Sequence, residues 1–172
     1  MECYLCRKKA EIKQQKNRSI CNGCFLELIE KRIRKNTRVN KLFSKGDKIK
    51  VNDELSRYFV ESISNDIPIK VVEKNGNKKT VKWTLDDEIN KFLKDLMMNN
   101  KEEDINGIKL LKVITDQEAN KFSELKGIKF KANNKDAVVM KIVDDLSEKH
   151  PDMRFNLFKN VELLNRLTNK DK

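Results

Sequence analysis

Four cysteines, Cys3, Cys6, Cys21 and Cys24, supply every thiol of the chain, and all of them precede residue 25. They form two C-x2-C pairs separated by 14 residues. Each pair can aim two sulfurs at one ion, and the intervening loop returns the second pair to complete a tetrahedron. Two disulfides would need an oxidising compartment, and cysteines and charges occupy the segment where a secretory leader needs an apolar stretch. A redox-active C-x2-C needs a preceding strand, and Cys6 has only five residues before it. The spacing points to a structural Zn(2+) held by four thiolates. A [4Fe–4S] cluster takes the same ligand set and is the alternative.

Charge is concentrated beside these thiols. The 172 residues carry a net charge of +11, and residues 1–50 hold 15 Lys and Arg against 5 Asp and Glu. The remaining 122 residues are balanced to within one charge. A small module so basic favours a polyanion partner, RNA or DNA before a membrane surface. Nothing approaches the run of about 18 apolar residues of a membrane span, so the expectation is a soluble, cytoplasmic protein.

The elements that must position these groups follow from periodicity. In "CFLELIEKRIRKNTRVNKLF" Phe25, Leu28, Ile29 and Ile33 recur at helical spacing, predicting a helix from Cys24. Its other side carries Lys31, Arg32, Arg34, Lys35 and Arg38, whose mutual repulsion a phosphate backbone would relieve. With Lys13, Lys16 and Arg18 of the finger loop these are the candidate RNA contacts. A solvated face is the plainer alternative.

Beyond residue 46 short strands and helices alternate. "GDKIKV" reads as a strand near 47–51. "NDELSRYFVESI" reads as a helix capped by Asn52 or Asp53, with Leu55, Tyr58, Phe59, Ser62 and Ile63 on one face. "IPIKVVEKNGNKKTVKW" holds two strand-like runs, joined either as a hairpin or as parallel strands. A helix after Thr84 presents Leu85, Ile89, Phe92, Leu93, Leu96 and Met97, with Asp86, Asp87 and Glu88 favouring its N-terminal dipole. "GIKLLKVI" and "IKFK" read as strands. Between them lies a helix with a capping box at Thr115 and Glu118 and a stop at Gly127. A helix with Val138, Ile142 and Leu146 on its face, and another after Pro151, complete an α/β pattern.

The order of these features resembles the PP-loop ATP pyrophosphatases that thiolate transfer RNA, specifically the archaeal and eukaryotic cytoplasmic tRNA 2-thiolation group. The finger ending at Cys21, Cys24 and Phe25 and running into "LELIEKRIRKN" looks like theirs. "LFSKGDKIKV" resembles the strand that leads into their nucleotide loop, and "TLDDEINKFLKDLMMNN" is similar to their H-N-L-D-D-E-A segment. "IKLLKVITDQEANKFSELKGIKF" and "VVMKIVDDLSEKHPDMRFNLFKN" resemble their later strand and C-terminal helices. The resemblance implies an α/β fold: an N-terminal four-cysteine zinc finger (1–25), a basic linker helix (26–45), a reduced PP-loop-like, adenine nucleotide alpha hydrolase-like domain (46–167) and a polar tail (168–172).

Departures from the family narrow the function. Its S-G-G-K-D-S phosphate loop should follow Val51, yet "NDELSRY" stands there without a glycine, so amides lose their close approach to phosphate. The family's second strand and helix have no room, and its catalytic cysteines and second zinc finger are missing. Asp86 and Asp87 remain, without a phosphate loop to serve. The resemblance thus implies a non-catalytic tRNA-binding or accessory subunit for wobble-uridine 2-thiolation, partnering an active thiolase; homodimer and heterodimer both stay open. The alternatives are a minimal tRNA sulfurtransferase using Asp86, Asp87 and the metal site, and a zinc-finger scaffold in RNA metabolism or transcription.

Overall fold

The computed structural model describes residues 1–15, 18–98 and 105–168. Two short strands, β1 (Ile12–Gln15) and β2 (Arg18–Ile20), pair as an antiparallel hairpin. Helix α1 (Asn22–Val39) follows at once. It begins two residues before the expected start at Cys24, because Cys21 takes the N-cap position and its Sγ accepts from the Cys24 amide at 3.5 Å. Phe25, Ile29 and Ile33 are its buried stripe.

Three strands build the body: β3 (Lys48–Lys50), β4 (Lys70–Val72) and β5 (Lys78–Lys79). Their order is β4-β3-β5 and both pairings are parallel, which decides between the two readings of "IPIKVVEKNGNKKTVKW". Helix α2 (Glu54–Ser64) links β3 to β4 and buries Leu55, Phe59 and Ile63. The return from β4 to β5 takes only residues 73–77. A strap this short must lie directly on β3, and glycine permits it. A Cβ on Gly76 would stand 2.9 Å from both Lys48 O and Lys50 N. Asn75 turns the strap with φ +58°, and the Asn77 side chain accepts from the Lys48 amide at 2.8 Å.

One core joins finger and body. Cys3 and Ile20 of the finger, the α1 stripe, Ile49 and Val51, the α2 face, and Leu110, Leu111, Ile114, Ala119 and Phe122 form a single cluster. The Tyr58, Phe59 and Phe122 rings meet inside it with centroids 5.0–5.6 Å apart. Helix α4 (Asp116–Lys126) supplies Phe122. It carries the expected capping box between Thr115 and Glu118, and Gly127 ends it in the left-handed region at φ +66°. Helices α3 (Leu85–Met98), α5 (Ala137–Lys149) and α6 (Met153–Thr168) pack on one another around a smaller cluster of Leu85, Ile89, Val143 and Phe158.

Several expectations are corrected. "GIKLLKVI" gives no strand: only Ile108 bridges Thr80, and residues 110–113 turn. The turn sends Leu110, Leu111 and Ile114 all into the core, whereas a strand would aim Leu110 and Leu111 at opposite faces. "IKFK" is irregular, its Lys129 amide satisfied by the Glu54 carboxylate at 3.0 Å. On α5 the buried residues are Val139 and Val143, while Val138, Ile142 and Leu146 are exposed. The helix is apolar on two adjoining sides, and its rotation is set by its N-terminus, where Asp136 N donates to Asn90 Oδ1 at 2.9 Å. On α3 the last turn outruns its cover, leaving Leu96 and Met97 exposed. Residues 169–172 of the expected tail lie outside the described residues.

Gly76→Ala tests the strap. Its Cβ would meet backbone on two strands, so thermal or denaturant unfolding should show a loss of about 1–3 kcal/mol.

Candidate functional site

Cys3 and Cys6 sit on the first turn of the chain, and the β1–β2 hairpin carries the polypeptide back to Cys21 and Cys24 at the start of α1. The turn needs a left-handed residue after Cys6, and Arg7 provides it with φ +61°. The Cys3 amide donates to Lys8 O at 2.7 Å and the Arg7 amide to Cys3 O at 2.8 Å, which fixes the loop. The four Sγ atoms lie within 4.8 Å of one another, Cys6 and Cys21 at 3.5 Å. Cys3 is buried and Cys6 is exposed.

Such crowding shapes the acidity of each thiol. Burial pushes Cys3 up, but hydrogen bonds from the backbone of Cys21, Cys6 and Leu5 outweigh it and bring the thiol to about 6. Cys24 is pushed far up, first by the Cys6 and Cys21 side chains and then by burial. One sulfur ionises readily and the last resists, because its neighbours already hold the negative charge. A divalent cation reverses that order, since it stabilises all four thiolates together. The donor set fits a single tetrahedral ion: sulfurs about 2.3 Å from one zinc stand about 3.8 Å apart. A four-iron cube would have to be straddled, and its sulfurs would stand farther apart.

The basic candidates divide by their surroundings. Lys31, Arg34, Lys35 and Arg38 are exposed on α1, as are Lys13 and Arg18 on the hairpin. Lys31 pairs with Glu27 at 3.2 Å, Arg34 with Asp66 at 3.5 Å, and Arg18 lies over the Tyr4 ring. Arg32 faces inward: both Glu118 carboxylate oxygens accept from it, at 2.8 and 2.9 Å, and it covers the Phe155 ring. It ties α1 to α4 and α6. Lys16 lies outside the described residues.

At the C-terminal end of β3, where open α/β sheets take ligands, Asp53 caps α2. Its Oδ1 accepts from the Ser56 amide at 2.8 Å, and its Oδ2 is buried without a partner among the described residues. A carboxylate therefore holds the helix end that would otherwise attract an anion. Beside it opens a cleft of about 740 Å³ that Lys82, Trp83, Lys91, Lys94 and Lys135 help to line.

Sequence reading gave Asp86 and Asp87 a capping role, and Asp87 fills it by accepting from the Thr84 amide at 2.8 Å. Both are also buried hubs. Lys135 contacts Asp87 at 2.8 Å and Asp116 at 2.6 Å, and Asn133 donates to Asp87 at 3.0 Å. Asp86 pairs with Arg154 of α6 and accepts from the Asp116 amide at 2.7 Å. Burial pushes Asp86 up against the pull of Arg154. For Lys135 burial acts downward, and the hydrogen bonds to Asp116 and Asp87 more than offset it, so the ammonium is held above its ordinary value. Lys135 and Arg154 look like surface charges in sequence. Only the placing of two acids directly after the buried Leu85 hinted at the hub.

No protein-family model matches the chain, and no curated protein does. Among solved structures it is similar to the U34-tRNA thiolase NcsA from Methanococcus maripaludis, solved with its [4Fe-4S] cluster. The TM-score is 0.76 at 14% identity, over 95% of this chain and 88% of that one. The likeness establishes the fold: a mixed α/β protein matching a PP-loop thiolase, with four clustered N-terminal cysteines.

Two outcomes follow. Cys6→Ala should lose the bound ion by metal analysis and release the hairpin to protease. Lys135→Met would leave the buried Asp87 and the half-buried Asp116 without their shared ammonium, so denaturant unfolding should show a loss of about 3 kcal/mol.

Proposed function

We propose that the chain is a tRNA-binding accessory subunit of wobble-uridine 2-thiolation, without ATP chemistry of its own, working beside an active PP-loop thiolase. The observation that carries the reading is the Asp53 cap. Adenylating chemistry needs backbone amides offered to a polyphosphate. Here a carboxylate on the same helix end accepts one amide and repels phosphate from the rest.

The finger supports the tRNA half. Cys3, Cys6, Cys21 and Cys24 would hold one zinc ion, and with protein sulfur in every position the metal would be structural, orienting the hairpin and the first turn of α1. On this reading Lys13, Arg18, Lys31, Arg34, Lys35 and Arg38 of this one module make the phosphate contacts. Arg32 is already spent on Glu118. The fold shared with a U34-tRNA thiolase supports thiolation as the context.

One observation favours the enzymatic alternative: the cleft beside Asp53 remains open and carries lysines. The two readings separate on purified protein. The accessory reading expects tRNA affinity to fall at least tenfold between about 50 and 200 mM salt. It also expects co-purification with an active thiolase and no RNA-dependent AMP. Substantial AMP production would overturn it in favour of catalysis.

A further inference from the structure

Parallel sheets are ordinarily covered on both faces, because their crossovers are helices. Among the described residues, helices cover only one face of β4-β3-β5. Ile49, Val51 and Val71 point into the core, and alternation sends Lys48, Lys50, Lys70 and Val72 the other way. Lys79, opposite Lys50, joins them. In place of a crossover helix this side has the 73–77 strap, whose Glu73, Lys74, Asn75 and Asn77 are exposed and whose Gly76 rests on β3.

The register sets like charges side by side. Lys48 is the Cα partner of Lys70, and Lys50 that of Lys79, on strands roughly 5 Å apart. Directly opposed like charges destabilise a sheet. No ammonium of Lys48, Lys50, Lys70, Lys74 or Lys79 has a partner among the described residues. Lys78 shows the contrast: it points to the other side and is neutralised by Asp47 at 2.7 Å.

We propose that this outer face, through Lys48, Lys50, Lys70, Lys74 and Lys79, docks the phosphate backbone of RNA. The choice of RNA rests on the tRNA-binding reading; the need for a polyanion rests on the register alone. The described residues that form this face, Lys48, Lys50, Lys70, Val72, Lys79 and the 73–77 strap, include no aromatic side chain, whereas protein interfaces centre on aromatic anchors and are depleted in lysine. Lysine is a flexible point charge that meets phosphate without demanding a base, so binding here is independent of sequence and sensitive to salt. The face extends the contact surface beyond the finger, which supplies the other cations.

The test uses the full chain with Lys50→Gln, Lys70→Gln and Lys79→Gln combined, against tRNA and an RNA duplex of unrelated sequence. Losing three phosphate contacts should make the slope of log affinity on log salt shallower by about 2. Affinity at low salt should fall about tenfold or more, and the thermal midpoint should not drop, since repulsion is removed. If the variant binds tRNA with unchanged slope, the sheet face is overturned and the accessory reading survives. If wild type binds both RNAs alike and the variant weakens both, the face is supported and specificity for thiolation fails. If wild type binds neither RNA, the face and the tRNA reading fall together. With polyglutamate as a third probe, a variant that loses only its binding to polyglutamate would assign the face to an acidic protein and overturn the proposal.

Discussion

Four sulfurs within 4.8 Å of one another are stable as thiolates only around a cation. Without one, ionising the first thiol raises the cost of ionising the last. With one, the loop through Arg7, the hairpin and the first turn of α1 become a single unit. The unit does not float. Cys3 and Ile20 continue into the core through Phe25, Ile29 and Ile33, so the orientation of the thiol cluster is tied through α1 to the body. Arg32, clamped by Glu118, fixes the far side of the same helix.

The body's sheet has the order β4-β3-β5 with parallel pairing, and a cleft of about 740 Å³ opens beside the C-terminal end of β3. At that edge stands the Asp53 carboxylate, which accepts from the Ser56 amide and caps α2. The acids of "LDDE" are used internally, drawing Lys135, Asn133 and Arg154 inward to hold α3, the 131–136 segment and α6 together. The link from β4 to β5 is a strap that depends on Gly76, and Lys48, Lys50, Lys70 and Lys79 of the sheet's outer face are exposed.

Local signals were legible in sequence wherever chemistry acts over a few residues. Cysteine spacing located the metal cluster, "TDQE" the capping box, Gly127 the stop, and the apolar stripe of α1 its buried face. Signals failed where a distant partner decides. The rotation of α5 is set by Asp136 and Asn90, so the stripe of Val138, Ile142 and Leu146 pointed to the wrong side. "GIKLLKVI" has strand composition, yet the core wants Leu110, Leu111 and Ile114 together. The near-neutral total for residues 51–172 averaged away the lysines of β4, β5 and their strap against acids elsewhere. Arg32 read like its basic neighbours because its partner lies 86 residues away.

The metal geometry is the most direct point of attack. X-ray absorption at the metal edge of the purified chain should find one ion with four sulfur neighbours at about 2.3 Å and no second metal nearby. A metal–metal distance would contradict the single-ion site. So would a metal-free chain whose four thiols titrate freely while the hairpin stays folded.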